Sequence, residues 1–211
     1  MDWMQVMISG PDDTPYSGGL FAFDIFFPQN YPQCPPKVKL VTTGGGQHRF
    51  NPNLYADGKV CLSLLGTWDG DRGESWNSHT STLLQVLVSI QSLILVPEPF
   101  FNEPGYERQL GTETGKSQSW DYNARQREGT LRLAMLDMIQ RPPKGFEEVV
   151  NRHFYLRRSY LEGLLHIYVK EAKEKEKKDS KRVSGGHLSR LQGLASKLKE
   201  KLASIPPPPP V

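Results

Sequence analysis

Cys61 and Asn53 stand eight positions apart in the run Phe50-Asn51-Pro52-Asn53-Leu54-Tyr55-Ala56-Asp57-Gly58-Lys59-Val60-Cys61-Leu62-Ser63-Leu64-Leu65. An Asn-Pro-Asn turn lies between two hydrophobic segments, so one loop can bring that amide to that thiol. A thiol carries an acyl group as an ester that survives in water yet stays reactive toward amines. An amide N–H beside it can stabilise the negative oxygen formed during transfer. Most free cysteines are small buried hydrophobes. The flanking loop residues and the spacing favour a nucleophile at Cys61 instead, which requires a sulfur that reagents can reach. Cys34, wedged in Gln33-Cys34-Pro35-Pro36, has no activating neighbour and reads as structural. No histidine is placed to act as a base, since His48, His79 and His153 are scattered. The nucleophile signatures of cysteine hydrolases are missing as well.

The loop needs a scaffold, and 211 residues suffice for one ordinary domain with a core plus an appendage. Hydrophobic residues at 37% and charged residues at 23% suit a soluble globular chain. No apolar run reaches the length of a membrane span, and the opening Met1-Asp2-Trp3-Met4 lacks the layout of a signal peptide. Two cysteines exclude a disulfide framework and point to a reducing compartment, cytoplasm or nucleus. Residues 170–211 carry eleven Lys/Arg against five Asp/Glu, while the remainder carries fifteen against eighteen. The basic character therefore belongs to the tail. With alternating signs and no aromatic after Tyr168, that tail reads as a solvated helix rather than a nucleic-acid surface.

Residues 2–9 alternate and end at Gly-Pro, which predicts a strand. Leu20 to Phe27 places Phe21, Phe23, Ile25 and Phe27 on one face of a second strand, and Lys37 to Val41 gives a short third. Thr42 to Trp76 has little periodicity and reads as a long functional loop. Helices are predicted over 82–96, with Leu83, Leu87, Ile90 and Ile94 inward, over 118–140, 144–154 and 157–178. An amphipathic helix is predicted over 187–204, with Leu188, Leu191, Leu194, Leu198 and Leu202 on one stripe. Ser184-Gly185-Gly186 is a natural break before it, and five prolines close the chain. Strands first and helices after give an α+β layout, an antiparallel meander packed on helices. The expected division is a core over 1–157, a charged helix and linker over 158–186, an amphipathic helix over 187–205 and a polyproline tail over 206–211.

Three strings carry a resemblance: Gly10-Pro11-Asp12-Asp13-Thr14-Pro15-Tyr16-Ser17-Gly18-Gly19, Phe27-Pro28-Gln29-Asn30-Tyr31-Pro32-Gln33-Cys34-Pro35-Pro36-Lys37-Val38, and the Asn51–Cys61 loop. In this order they resemble the ubiquitin-conjugating enzymes, most of all the very large BRUCE/Apollon-type members, where Asn-Pro-Asn replaces His-Pro-Asn and an insertion follows the cysteine. The likeness is strong over residues 3–106 and looser over 107–157. It implies a UBC-like fold that in the family begins with one helix and one strand ahead of the segment at 2–9. Their absence is the expectation of a fragment of a larger protein or of a misassigned start.

The same resemblance implies the chemistry. Cys61 would take ubiquitin's carboxyl end from the activating enzyme by thioester exchange and deliver it to a substrate lysine or a ligase cysteine. Asn53 matches the catalytic asparagine, a role compatible with bracing its own loop. Asn51 stands where the family has a loop-organising histidine, Pro52 fixes the turn, and Tyr55 packs behind it. Asn102 or Glu103, in Pro97-Glu98-Pro99-Phe100-Phe101-Asn102-Glu103-Pro104, would face the thioester as a polar gate. No cofactor or metal is implied, since ATP is used by the upstream activating enzyme. The implied partners are ubiquitin, the activating enzyme, a ligase or fused ligase region, and protein substrates. Pro35-Pro36 and Pro97-Glu98-Pro99, with Phe100 and Phe101, would form a ligase-docking patch. The insertion Asp69–Ser75 is either a contact surface or a plain polar loop, and the terminal prolines fit an SH3- or WW-type groove. The competing class is a non-catalytic module that only holds ubiquitin or a ligase, against which retention of Cys61 argues.

Overall fold

Alternating side chains set the first element. In the computed structural model, which describes residues 2–70, 73–178 and 186–209, β1 (Trp3–Ser9), β2 (Leu20–Phe26) and β3 (Lys37–Leu40) form one antiparallel sheet in that order. Trp3 pairs with Phe26 and Ser9 with Leu20, so residues 10–19 close the hairpin. Phe21, Phe23 and Ile25 are fully buried, on the face their alternation assigns. Phe27 falls just past the strand, where its ring meets Tyr31 edge to face.

The hairpin loop positions the site. A Cβ on Gly10 would lie 1.9 Å from the Tyr16 carbonyl oxygen, so only glycine allows the loop to close this tightly. Tyr16 is thereby fully buried, and its phenol donates to the Phe50 carbonyl at 2.7 Å. The rings of Tyr16, Phe21 and Phe50 interlock edge to face, which fixes where the Asn-Pro-Asn turn begins. Burial pushes the Tyr16 phenol well above its ordinary range, so it remains a donor.

Thr82 caps α1 (Leu83–Ser89): its side chain accepts from the Gln85 N–H while Gln85 reaches back to the Thr82 N–H. The helix predicted over 82–96 does not stay α-helical, because Ile90–Ile94 widens into π geometry. Carbonyls at a helix end lack intrahelical partners. Here those of Leu93 and Ile94 become acceptors for the site described below.

The chain divides into two compact units, Met1–Asn123 and Ala124–Val211. The division falls inside α2 (Glu113–Gly129), not after residue 157 as expected. The second unit continues through a π segment, Thr130–Asp137, to α3 (Met138–Gln140), α4 (Glu147–Leu156), α5 (Arg158–Lys178) and α6 (His187–Ser204). Leu131, Leu133, Met135 and Leu136 are buried. The expected solvated helix over 187–204 is corrected: α6 packs on α5 and on Thr130–Asp137, with Leu191, Leu198 and Leu202 at most 1% exposed. Past α6, Arg158 donates to the Ile205 carbonyl and Arg152 to that of Pro209, while Pro206, Pro207 and Pro209 are exposed. Pro210 and Val211, like Ser184 and Gly185 of the predicted break, lie outside the described residues. No described helix is long and apolar enough to cross a membrane.

One half-buried carboxylate fastens α6. Glu128 bonds Nδ1 of His187 and accepts from Nε of Arg190 at 2.9 Å. Burial works to raise the Glu128 carboxyl, but the hydrogen bonds from His187 and Arg190 outweigh it and hold the group below the usual range. A depressed folded value stabilises above the unfolded pKa, about 4.3, and the gain is lost as pH falls through the folded value. Glu128→Gln is therefore expected to lose about 1–3 kcal/mol at neutral pH and to flatten the acid limb of stability. Denaturant unfolding of both proteins across pH 3–7 checks this. An unchanged acid slope in the variant would contradict it.

Candidate active site

Asn51 is the organiser of the site. It is fully buried, and all four of its side-chain hydrogen-bonding positions are used. Its amide donates to the Ile94 carbonyl at 2.7 Å and to the Tyr16 oxygen at 3.4 Å. Its side-chain oxygen accepts from the Asn53 N–H at 2.8 Å and from the Asn102 amide at 3.4 Å. The turn is thus tied to the helix end, to the hairpin loop and to the 97–104 loop, by a group that does not titrate. Replacing Asn51 with leucine is expected to strand buried partners, each costing about 1–3 kcal/mol, which urea unfolding will read as a loss of several kcal/mol.

From that turn the chain reaches the cysteine. Cys61 N–H donates to the Asn53 carbonyl at 2.9 Å, and the Asn53 amide donates to the Cys61 carbonyl at 3.1 Å. The two predicted catalytic residues are therefore held together by a reciprocal pair of hydrogen bonds. Leu62 is extended, after which Ser63–Leu65 turns as a short 3-10 helix.

The expectation of an open thiol is not met, since Cys61 is only 2% exposed. It lies among the buried apolar residues, beside Val60 and Leu62. Burial raises the thiol; Lys59 and Arg49 pull the other way, Asp57 adds to the rise, and a hydrogen bond with the Tyr55 side chain lowers it again, leaving a net rise. Tyr55 itself is gripped by charge, with the Arg49 guanidinium 4.3 Å and the Lys59 ammonium 5.5 Å from its ring centre. Arg49 also donates to the Pro52 carbonyl at 2.6 Å and pairs with Glu103 at 3.5 Å. Tyr55 thus touches the nucleophile instead of merely packing behind Pro52, which is itself buried.

Both residues predicted for the gate have partners in this structure. Asn102 spends its amide on Asn51 and on the Leu93 carbonyl, the latter at 3.0 Å, and so braces the loop. Glu103 is held by Arg49. No hydrogen bond among the described residues joins either side chain to Cys61. Phe100 is corrected: at 8% exposure it packs against Phe101, Tyr106 and Tyr122 and offers no docking surface. Arg49 escaped the sequence reading because nothing in its spacing distinguishes it from a surface arginine.

The insertion after the cysteine folds back on its neighbours. Ser63 Oγ donates to Glu74 at 3.1 Å, and the Trp76 indole N–H donates to the Pro32 carbonyl at 2.7 Å. Asp71 and Arg72 lie outside the described residues.

With Asn53 and Cys61 placed together, comparison with known proteins decides the family. A family model described as ubiquitin-conjugating enzyme matches residues 1–129. The chain belongs to the ubiquitin-conjugating enzyme family. Among its relatives, the dual E2 ubiquitin-conjugating enzyme/E3 ubiquitin-protein ligase BIRC6 of Mus musculus is 49% identical over 99% of this chain, and that of Homo sapiens is 48% identical over the same share. This chain spans only 4% of the length of either. A probable ubiquitin-conjugating enzyme of Caenorhabditis elegans is 54% identical over 75% of the chain and 22% of that relative. Among solved structures, human ubiquitin-conjugating enzyme E2 G1 matches with a TM-score of 0.38 and 32% identity, over 46% of this chain and 71% of that one. The family model stops near the end of α2, whereas likeness to the mouse and human relatives continues through the helices of the second unit. The tail, expected to lie outside any resemblance, is shared with them.

Proposed function

We propose that this chain carries ubiquitin as a thioester on Cys61 and passes it to a lysine. The observation that supports this reading is the reciprocal hydrogen-bonded pairing of Asn53 with Cys61 in a chain of this family. Cys61 thiolate attacks the thioester that the activating enzyme holds, and the enzyme's thiolate leaves. A lysine amine then attacks the new thioester, its carbonyl oxygen gathers negative charge, and the Cys61 thiolate departs as the isopeptide bond forms and the amine loses its proton. One Asn53 N–H is engaged on the Cys61 carbonyl, and the other is the donor for that developing oxyanion. Ubiquitin, the activating enzyme and a ligase are the partners this family membership implies.

The burial of the thiol favours a second reading, a module that holds ubiquitin without forming a bond to it. Incubation with activating enzyme, ATP and ubiquitin separates the two. Conjugation yields an adduct of added ubiquitin mass that reductant cleaves, whereas a holding module binds ubiquitin and gains no mass.

A further inference from the structure

Beside the cysteine loop lies a face on which three lysines stand against one carboxylate, Asp24, opposite Lys39. Lys37 and Lys39 are exposed and two residues apart on β3, so their side chains leave the sheet on the same side. Lys39 is in turn bridged antiparallel to Lys59. Residues so opposed project together with Cβ atoms about 4.5–5.5 Å apart, and like charges there are destabilising. Gly58 makes room for this, since a Cβ there would stand 2.8 Å from Lys39 Cγ. Among the described residues no carboxylate forms an ion pair with any of the three. The two nearby acids have other partners: Asp24, opposite Lys39, accepts from the Gln5 amide at 2.9 Å, and Asp57 accepts from the Lys59 backbone N–H.

Two of these lysines, Lys37 and Lys59, border an open groove of about 520 Å³ whose walls also include Pro28, Pro36 and Val60, with no carboxylate among its lining residues. Val60 precedes the nucleophile directly, and Lys59 lies two residues from it, roughly 6.5–7 Å along an extended chain. A polypeptide whose lysine reaches Cys61 would therefore lay its neighbouring residues across this groove. The lining holds no aromatic side chain, which disfavours a nucleic-acid strand that would need stacking partners. Its proline walls suit an extended peptide.

We propose that this groove seats an acidic flank of the acceptor polypeptide, an Asp or Glu a few residues from the lysine that is modified. The inference rests on lysine transfer as proposed above and adds a preference among acceptors.

The test uses the whole uncharged chain and fluorescent peptides of equal length, each with one lysine flanked by Glu, Gln or Arg, followed by anisotropy. The Glu peptide is expected to bind about fivefold tighter than the Gln peptide, as two exposed ion pairs allow, and the Arg peptide most weakly. The preference shrinks at about 0.5 M salt, and Lys37→Glu reverses the order of the Glu and Arg peptides while circular dichroism stays unchanged. Equal affinities, or a Glu preference that persists in a Lys37→Glu, Lys59→Glu double variant, would overturn the proposal. So would displacement of the Glu peptide by any polyanion of equal charge with equal effectiveness, which marks a merely basic surface. In the charged chain, single-turnover discharge to each peptide, divided by discharge to free lysine, should follow the same order and invert in Lys37→Glu. If charging fails while the binding order holds, the transfer reading falls and the groove stands. If charging succeeds and both orders are flat, the groove falls alone.

Discussion

Serine at position 61 is expected to trap ubiquitin on the chain as an ester that thiols do not cleave, and to reduce transfer to lysine to background. The reasoning is chemical. An alkoxide is a far poorer leaving group than a thiolate, so an oxygen ester at the same place keeps the geometry and loses the reactivity. Because Cys61 is only 2% exposed and the serine side chain is smaller, the fold has room for the change. Cys34→Ser is the matched control. Cys34 donates its thiol hydrogen to Asn30 Oδ1 at 2.9 Å and has no part in the acyl chemistry, so that variant should charge and discharge like the parent. Loss of charging in Cys34→Ser, with a thiol-cleavable adduct still formed on Cys61→Ser, would place the chemistry on the other sulfur. Gel shifts with and without reductant, read beside a discharge time course, resolve all four outcomes.

Asn53→Ala is expected to leave charging close to normal and to slow discharge to lysine by roughly 10²–10³-fold, the usual effect of removing one oxyanion donor. Asn53 also braces its loop, since its amide holds the Cys61 carbonyl. The two roles leave different marks. A lost brace lowers stability and slows charging and discharge alike, because both steps need Cys61 in place. A lost oxyanion donor slows aminolysis while the unfolding midpoint hardly moves. Measuring charging rate, discharge rate and urea midpoint on one preparation separates them, and equal slowing of both steps would reduce Asn53 to a structural residue.

The sequence made the meander legible because Phe21, Phe23 and Ile25 recur at every second position and the turns are marked by glycine or proline. Phe21, Phe23 and Ile25 could be read as core from spacing alone, and Cys61 and Asn53 could be paired because the turn residues between them force a return. The limits of α6 were legible too, at residues 187–204, though its destination was not. An amphipathic stripe states that a helix has an apolar face, not which surface covers it. The widening of Ile90–Ile94 into π geometry leaves no mark in periodicity, yet it helps present the Leu93 and Ile94 carbonyls that Asn102 and Asn51 use. The partners of the two gate residues were not legible for a related reason. Asn102 and Glu103 are adjacent in sequence, and only the long-range positions of Asn51 and Arg49 decide where each side chain goes. The Tyr55 ring is held by two cations, Arg49 and Lys59, a three-body contact that no pairwise spacing announces.

The central claim is that the sulfur of Cys61 bonds covalently to the carboxyl end of ubiquitin. Its most direct measurement is mass spectrometry of the chain after incubation with activating enzyme, ATP and ubiquitin, intact and then digested without reductant. The account predicts the added mass of one ubiquitin, lost on thiol treatment, with the modified peptide containing Cys61. An unmodified chain under conditions that charge another member of the family, or a bond located at Cys34, would contradict it.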